Sequence, residues 1–425
     1  MKEVSMAPAI HIGRDAIAAL DVYARGHGFA ELVLIADKNT YEALGRRLAE
    51  ELSAGGHAVR AVVLQQAEVV ADERSIVQVL TGSGPTNGCF FAVGSGTITD
   101  IVRFVSHRTN RSFISVPTAP SVDGFIASHA ALVLGGLKES IGCAPPRALF
   151  ADLATLRAAP QEMIAAGIAD VAGKLTAVSD LEIGHLLWNE RYDPDIAHRL
   201  RANALRCVEQ AAEILSGSDA AMTALVEALV ETGLCMLDFG NSSPASGAEH
   251  HISHFWELQL LRQARPAILH GAKVSAATLI CARWYDALRK VSSEEAKVRL
   301  EGARLPDRTT ELARIRELYG AAAEPIIRQQ APFLDMSSQA FDALKARIMA
   351  RWTDIQHVAA EVPTPDRVER WLQQAGAPTD ARQLGFSEDL IREGCEYGHY
   401  VRYRFTIAKL ARILSLDCEP RPGSA

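Results

Sequence analysis

Three groups of residues along the chain carry side chains whose types and spacing suit chemistry. In Glu249-His250-His251-Ile252-Ser253-His254, the first and last histidines of the trio stand four residues apart and would share one face of a helix. Two imidazoles so placed suit a metal ligand beside an acid/base group. His270 opens Leu269-His270-Gly271-Ala272-Lys273 at the start of another apolar helical segment. Taken alone it reads as a hydrogen-bonded core or capping histidine. Asp170 changes that reading, because it lies in Ala165-Ala166-Gly167-Ile168-Ala169-Asp170-Val171-Ala172-Gly173-Lys174. Small residues there permit close helix packing, where a carboxylate is costly unless paired or coordinated. One Asp with two His and an open fourth position is the coordination of a catalytic divalent metal. His251 competes with His250 for the ligand role and with His254 for the acid/base role.

A second constellation suits a dinucleotide, and a third is a polar loop. Val93-Gly94-Ser95-Gly96-Thr97-Ile98-Thr99-Asp100 falls between an apolar strand and an amphipathic helix. Glycines there let the backbone approach a pyrophosphate and helix N–H groups bind it; two glycines also serve tight strand-to-helix turns that bind nothing. Asp37 ends an earlier strand, where a carboxylate can accept from an adenosine ribose and repel a 2′-phosphate, or equally cap a helix. Ser115-Val116-Pro117-Thr118-Ala119-Pro120-Ser121-Val122-Asp123-Gly124 follows a strand and supplies hydroxyls and a carboxylate. Spacing alone does not separate it from an ordinary polar loop.

Holding such residues requires a strand-and-turn scaffold, and the first third of the chain has its pattern. Leu32–Ala36, Val59–Leu64, Cys89–Val93 and Phe113–Val116 read as buried parallel strands, with helices expected over Thr40–Ala54, Glu73–Thr81 and from Thr99 to His107. A hairpin over Ala130–Gly136 and a last strand near Ala148–Ala151 are expected to close a Rossmann-like domain of residues 1–152. From Leu153 the texture changes to long Ala-, Leu- and Glu-rich stretches of helical period. The fold expected is therefore an α/β nucleotide-binding domain followed by an all-helical domain, residues 153–425. The Pro- and Gly-rich tail after Cys418 is expected to fray.

Composition narrows the partners. A chain of 425 residues suits two domains. The net charge of −7 gives no general attraction to nucleic acid or anionic lipid, so an anionic substrate needs a local basic pocket. There is no signal-peptide core near the N-terminus and no run of 18 apolar residues, so a cytoplasmic protein without membrane insertion is expected. Seven scattered cysteines with no Cys-x-x-Cys pair argue against a disulfide framework and a cysteine zinc site.

In their order along the chain, Gly94 to Asp100, Phe113 to Gly124, Ala165 to Lys174, Pro244 to His254 and Leu269 to Lys273 resemble a known superfamily. It comprises the glycerol dehydrogenases, iron-type alcohol dehydrogenases and dehydroquinate synthases, and the sequence is most similar to the sn-glycerol-1-phosphate dehydrogenase branch. The resemblance implies a dehydroquinate synthase-like architecture, a homo-oligomer, NAD or NADP, and one divalent metal held by Asp170, His250 and His270. It makes Gly94, Ser95, Gly96, Thr97 and Asp100 the pyrophosphate region, Thr118, Ala119, Pro120 and Ser121 contacts near the nicotinamide, and Asp123 a substrate-hydroxyl contact. His254 becomes a substrate or proton-relay residue, since only His250 and His254 match the family spacing His-x-x-x-His.

Two departures stand out. Ser243 occupies a position where the family often has Arg, before Pro-Ala-Ser-Gly. Ala127 stands where a serine is usual, with Ser128 next door as its substitute. Asp170 in place of Glu sets the chain apart from dehydroquinate synthases. Lys174, where iron-type enzymes have a fourth ligand, favours zinc or nickel over iron. Lys174 is also expected to help hold a substrate phosphate, with Lys273 as a possible helper. The implied reaction interconverts dihydroxyacetone phosphate and sn-glycerol 1-phosphate; the alternatives are a glycerol or other polyol dehydrogenase and a dehydroquinate synthase-like lyase.

Overall fold

The computed structural model describes residues 7–85, 87–135 and 137–417. Eight strands are described: β1 (Ala9–Gly13), β2 (Leu32–Asp37), β3 (Val59–Leu64), β4 (Cys89–Val93), β5 (Phe113–Val116), β6 (His129–Leu134), β7 (Leu137–Gly142) and β8 (Ala148–Asp152). Six form one parallel sheet in the order β1-β8-β5-β4-β2-β3, and β6 and β7 pair as an antiparallel hairpin. Gly136, where the hairpin was expected to end, and the tail from Cys418 lie outside the described residues.

The central strands β2, β4 and β5 are apolar on both faces because both faces are covered. Leu32, Leu34 and Ala36 of β2 point into a core with Leu20, Leu48, Phe91 and Val116. Val33 and Ile35 point the other way, to Ile76, Phe90, Ile101 and Phe113. This alternation fixes the register, since a one-residue slip would exchange the two cores.

Two elements go beyond the sequence reading. β1 pairs with β8 at the sheet edge, Ala9 opposite Ala148, and the helix Ala16–His27 follows it, burying Ala16, Ile17, Leu20 and Ala24. The expected helix over Thr40–Ala54 begins with a π-helical turn, Tyr41–Gly45, before the regular helix Arg46–Ala54.

After Asp152 the described residues hold helices and no strand. The compact units nevertheless divide at other points than the change of texture. One comprises Met1–Ile168 with Gln210–Asn241, the other Ala169–Glu209 with Ser242–Ala425. The largest part of the difference is the segment Gln210–Asn241, which carries the helix Asp219–Phe239. The helix is long and apolar enough to cross a membrane, yet 67% of its most apolar window is buried. In the first unit Gly233 of this helix packs where an added Cβ would sit 2.4 Å from the Ile126 side chain, and Asp219 pairs with Arg14 and Arg157.

Candidate functional site

In the first unit, the glycine turn follows β4 directly. A Cβ on Gly94 would lie 2.7 Å from Ile98, and one on Gly96 3.2 Å from Val122, so the turn is too tight for side chains. The Gly94 N–H donates to Val116 O at 3.2 Å, the Thr118 N–H donates to Gly94 O at 3.3 Å, and the Ser95 and Ser121 hydroxyls touch. The two sequence stretches expected to hold a dinucleotide are thereby joined into one surface. Ser95, the N-cap of the helix Gly96–Arg108, makes no side-chain cap, leaving the first-turn amides, including that of Thr97, without that partner. These N–H groups and the helix dipole favour an anion.

Asp100 is on the same helix and pairs with Arg103. Its carboxylate accepts from Arg103 Nη1 at 2.6 Å, while the same buried guanidinium donates to the carbonyls of Gly124, Phe125 and His129. Burial pushes Asp100 up to about 6, with Arg103 opposing. The pair is a strut beneath the turn that follows Asp123. Sequence reasoning missed Arg103, whose helical spacing from Asp100 (i, i+3) was its only signal.

Asp37 caps the next turn: its Oδ1 accepts from Thr40 N at 2.8 Å, and its own N–H donates to Thr40 Oγ1 at 3.0 Å. Thr118, Ala119, Pro120 and Ser121 are buried, and Asp123 is partly exposed. Ala127 is buried, whereas the Ser128 hydroxyl lies 3.3 Å from the His129 ring.

The second unit gathers Asp170, His250 and His270 from three helices, Gln161–Trp188, Ala248–Arg262 and His270–Lys290. Their ligand atoms all lie within 4.8 Å of one another. The Asp170 carboxylate is wholly buried, with His250 Nε2 3.5 Å from its Oδ1. The close packing read from small residues is present: a Cβ on Gly173 would meet Val274 at 3.0 Å and Glu249 at 3.4 Å.

Glu249 is a residue that the sequence reading quoted without assigning a role, and it lies directly behind the cluster. Its Oε1 lies 2.7 Å from His250 Nδ1 and accepts from Gly247 N at 2.7 Å, while Oε2 accepts from Thr176 Oγ1 at 2.8 Å. A carboxylate on the far nitrogen fixes the tautomer and turns Nε2 toward the cluster, as in metal sites whose histidines are held from behind. Behind Glu249 stands Asp180, which accepts from Ala248 N, Ile407 N and Tyr285 OH. Burial and the neighbouring Glu249 push Asp180 up to about 7.

Lys174, expected at a substrate phosphate, is wholly buried, and its Nζ donates to Asp170 Oδ1 at 2.9 Å. Burial alone would raise Asp170, but Lys174 and the two histidines hold it well below the ordinary carboxylate range. Lys273 is also buried and donates to Ile268 O.

His254 is partly exposed, its ring centroid 6.0 Å from that of His250 and 5.7 Å from that of His270. His251 turns elsewhere: it is wholly buried, with no hydrogen-bond partner on either ring nitrogen among the described residues. Burial and then Arg404 and Lys409 hold its pKa well below the ordinary imidazole value. Arg404, another residue missed, donates through Nη1 to the carbonyls of Ser243 and Ser246 at 2.8 and 2.5 Å. A guanidinium thus stands beside Ser243, where the side chain is only a hydroxymethyl.

Comparison with known proteins gives three kinds of likeness. Residues 11–160 match the family described as iron-containing alcohol dehydrogenase. The glycerol-1-phosphate dehydrogenase [NAD(P)+] of Geobacillus stearothermophilus is 34% identical over 402 residues, covering 93% of this chain and 90% of the relative. That of Bacillus velezensis is 36% identical over 377 residues, covering 88% and 83%. Among solved structures, an alcohol dehydrogenase from Oenococcus oeni matches with a TM-score of 0.62 at 14% identity, covering 96% of this chain and 98% of that one, a likeness of fold.

Proposed function

The chain belongs to the glycerol-1-phosphate dehydrogenase family, and from that membership we propose that it reduces dihydroxyacetone phosphate to sn-glycerol 1-phosphate with NAD(P)H, and runs the reverse oxidation. One observation carries the proposal: an Asp–His–His cluster, with Asp170 and His250 buried, whose His250 is oriented from behind by Glu249. The donor set, two imidazoles and a carboxylate, fits a catalytic divalent ion, with zinc or nickel favoured. The glycine cradle over the Gly96–Arg108 helix fits a pyrophosphate.

When bound, the divalent ion supplies Lewis acidity to the substrate oxygen, and the nicotinamide gives or takes the hydride. The chain's own residues do the rest. Asp170, His250 and His270 hold the ion, and Glu249 keeps His250 Nδ1 occupied so that Nε2 remains the donor. His254 moves the proton of the substrate hydroxyl, and Asp123 accepts from a second hydroxyl. Gly94, Ser95, Gly96 and Thr97 receive the pyrophosphate, with Thr118 to Ser121 beside the nicotinamide. Lys174, paired to Asp170, is assigned to orienting that carboxylate. Arg404, whose Nη2 is buried without a partner among the described residues, stands as the better candidate for a phosphate. No disulfide joins the six described cysteines, which suits a reducing compartment such as the cytoplasm. Assembly into a homo-oligomer is retained from the family resemblance.

The test of substrate class is kinetic. With metal fully loaded, kcat/KM for dihydroxyacetone phosphate is expected to exceed that for dihydroxyacetone by about tenfold to a hundredfold, the worth of a charge-assisted hydrogen bond of about 1.5–3 kcal/mol. Equal efficiencies would remove the phosphate from the proposal and leave a polyol dehydrogenase. A lyase is excluded by net consumption of NADH with the ketone.

The nucleotide preference rests on Asp37. Asp37→Ser keeps an N-cap, so it separates the charge from the capping function. The variant is expected to bind NADP about tenfold more tightly relative to NAD, with metal content unchanged. Equal shifts for both cofactors would leave Asp37 as a cap alone.

A further inference from the structure

His270 belongs to two overlapping donor clusters. Besides the Asp170–His250–His270 trio, ligand atoms of His254, Glu257 and His270 also lie within 4.8 Å of one another. The two clusters differ in access. Asp170 and His250 are buried, whereas His254, Glu257 and His270 are each partly exposed. Glu257 follows His254 by three residues on one helix, so both side chains project from the same face.

The inner trio is hard to enter directly. Asp170 Oδ1 is held by the Lys174 ammonium at 2.9 Å, and both side chains are shut from solvent. A hydrated divalent cation would have to lose its water and displace an ammonium in one event. At the outer trio it can exchange water for two imidazoles and a carboxylate one at a time. A neutral imidazole has one lone pair available for coordination, so His270 serves one ion at a time and the two sites exclude each other.

We propose that His254, Glu257 and His270 form a receiving site for the divalent cation, which binds there first and passes inward to Asp170 and His250, with His270 as the ligand common to both positions. The donor set suits the borderline cations Zn2+, Co2+ and Ni2+. This inference rests on reading Asp170, His250 and His270 as the resident site, and its test keeps the two apart.

The experiment uses the full chain stripped of metal and reconstituted with Co2+, whose visible absorption reports ligation. In Glu257→Gln, which keeps the side-chain volume, loading is expected to slow about tenfold or more, while the final stoichiometry of one and the equilibrium affinity stay as in the unmutated chain. Asp170→Asn is expected to retain a weak Co2+ site with an altered spectrum, and Asp170→Asn/Glu257→Gln to lose it. Unchanged loading in Glu257→Gln would overturn the receiving site, as would an unchanged weak site in the double variant. A loss of equilibrium affinity in Glu257→Gln with no change in loading rate would also overturn it, making Glu257 part of the resident site. Wild-type Co2+ affinity in Asp170→Asn would instead overturn the resident-site reading itself.

Discussion

Asp170→Ala, His250→Ala and His270→Ala are each expected to lose tightly bound metal and turnover together, with activity falling to background. Three protein donors are the minimum found in catalytic zinc sites, and two leave the ion to the solvent. Metal content by elemental analysis and turnover on one preparation of each variant check the coupling. His251→Ala is the control, because that ring lies outside both donor clusters; full metal in His250→Ala with loss in His251→Ala would reverse the assignment. Glu249→Gln should show a graded effect, about 10- to 100-fold in metal affinity, as expected when the group behind a ligating histidine is weakened. The Asp170 variant needs one precaution. Truncating Asp170 takes from the buried Lys174 ammonium an acceptor at 2.9 Å, and breaking a buried ion pair costs about 3–5 kcal/mol. Asp170→Asn, which keeps an oxygen near Lys174, separates loss of the ion from loss of the fold.

Gly167→Ala is expected to destabilise the first unit by about 3 kcal/mol or more, at the upper end of overpacking penalties, and to weaken nucleotide binding with it. A Cβ at that position would sit 1.7 Å from Pro120 O and 2.8 Å from Pro120 C. These are backbone atoms, so no rotamer change relieves the clash. The helix and the Thr118–Ser121 loop must separate, and that loop is tied to the glycine turn through Thr118 and Ser121. The checks are thermal unfolding and nucleotide affinity by calorimetry. Gly26→Ala is the reference, since a Cβ there meets nothing within 4 Å and should be neutral or slightly stabilising. If the two variants unfolded alike, the close approach of Gly167 to Pro120 would not be a determinant of the loop.

The residues that were legible in the sequence were those with strong local patterns. Uninterrupted runs such as Cys89–Val93 and Phe113–Val116 gave strands at their observed bounds, because a strand covered on both faces has no polar alternation to confuse it. β1 was passed over for the opposite reason: its five residues at the sheet edge are exposed or only partly buried, and the pattern Ala-Ile-His-Ile-Gly is too short and mixed. The gathering of Asp170, His250 and His270 was foreshadowed by the unusual position of Asp170 and by the family resemblance, which paired it with the two histidines. What surrounds it was not. Lys174 read almost as well as an exposed helix lysine, since one turn of spacing does not tell what covers a helix face. Glu257 had a visible signal in its spacing from His254, whereas Arg404 lies far along the chain from the Ser243 it contacts, a separation that no local pattern bridges.

The threading of the first unit sets a schedule for synthesis. Its edge strand β1 finds its partner only when Ala148 is made, and its last helix arrives with residues Gln210–Asn241, after some forty residues committed to the other unit. At ribosomal rates of about 5–20 residues per second, the N-terminal half waits about 5–20 seconds for completion. Through that interval Ile126 lacks the helix that covers it, and the chain presents an apolar face of the kind that chaperones hold. A domain that is early in the gene is therefore late in the fold, because its closing piece is encoded inside its neighbour.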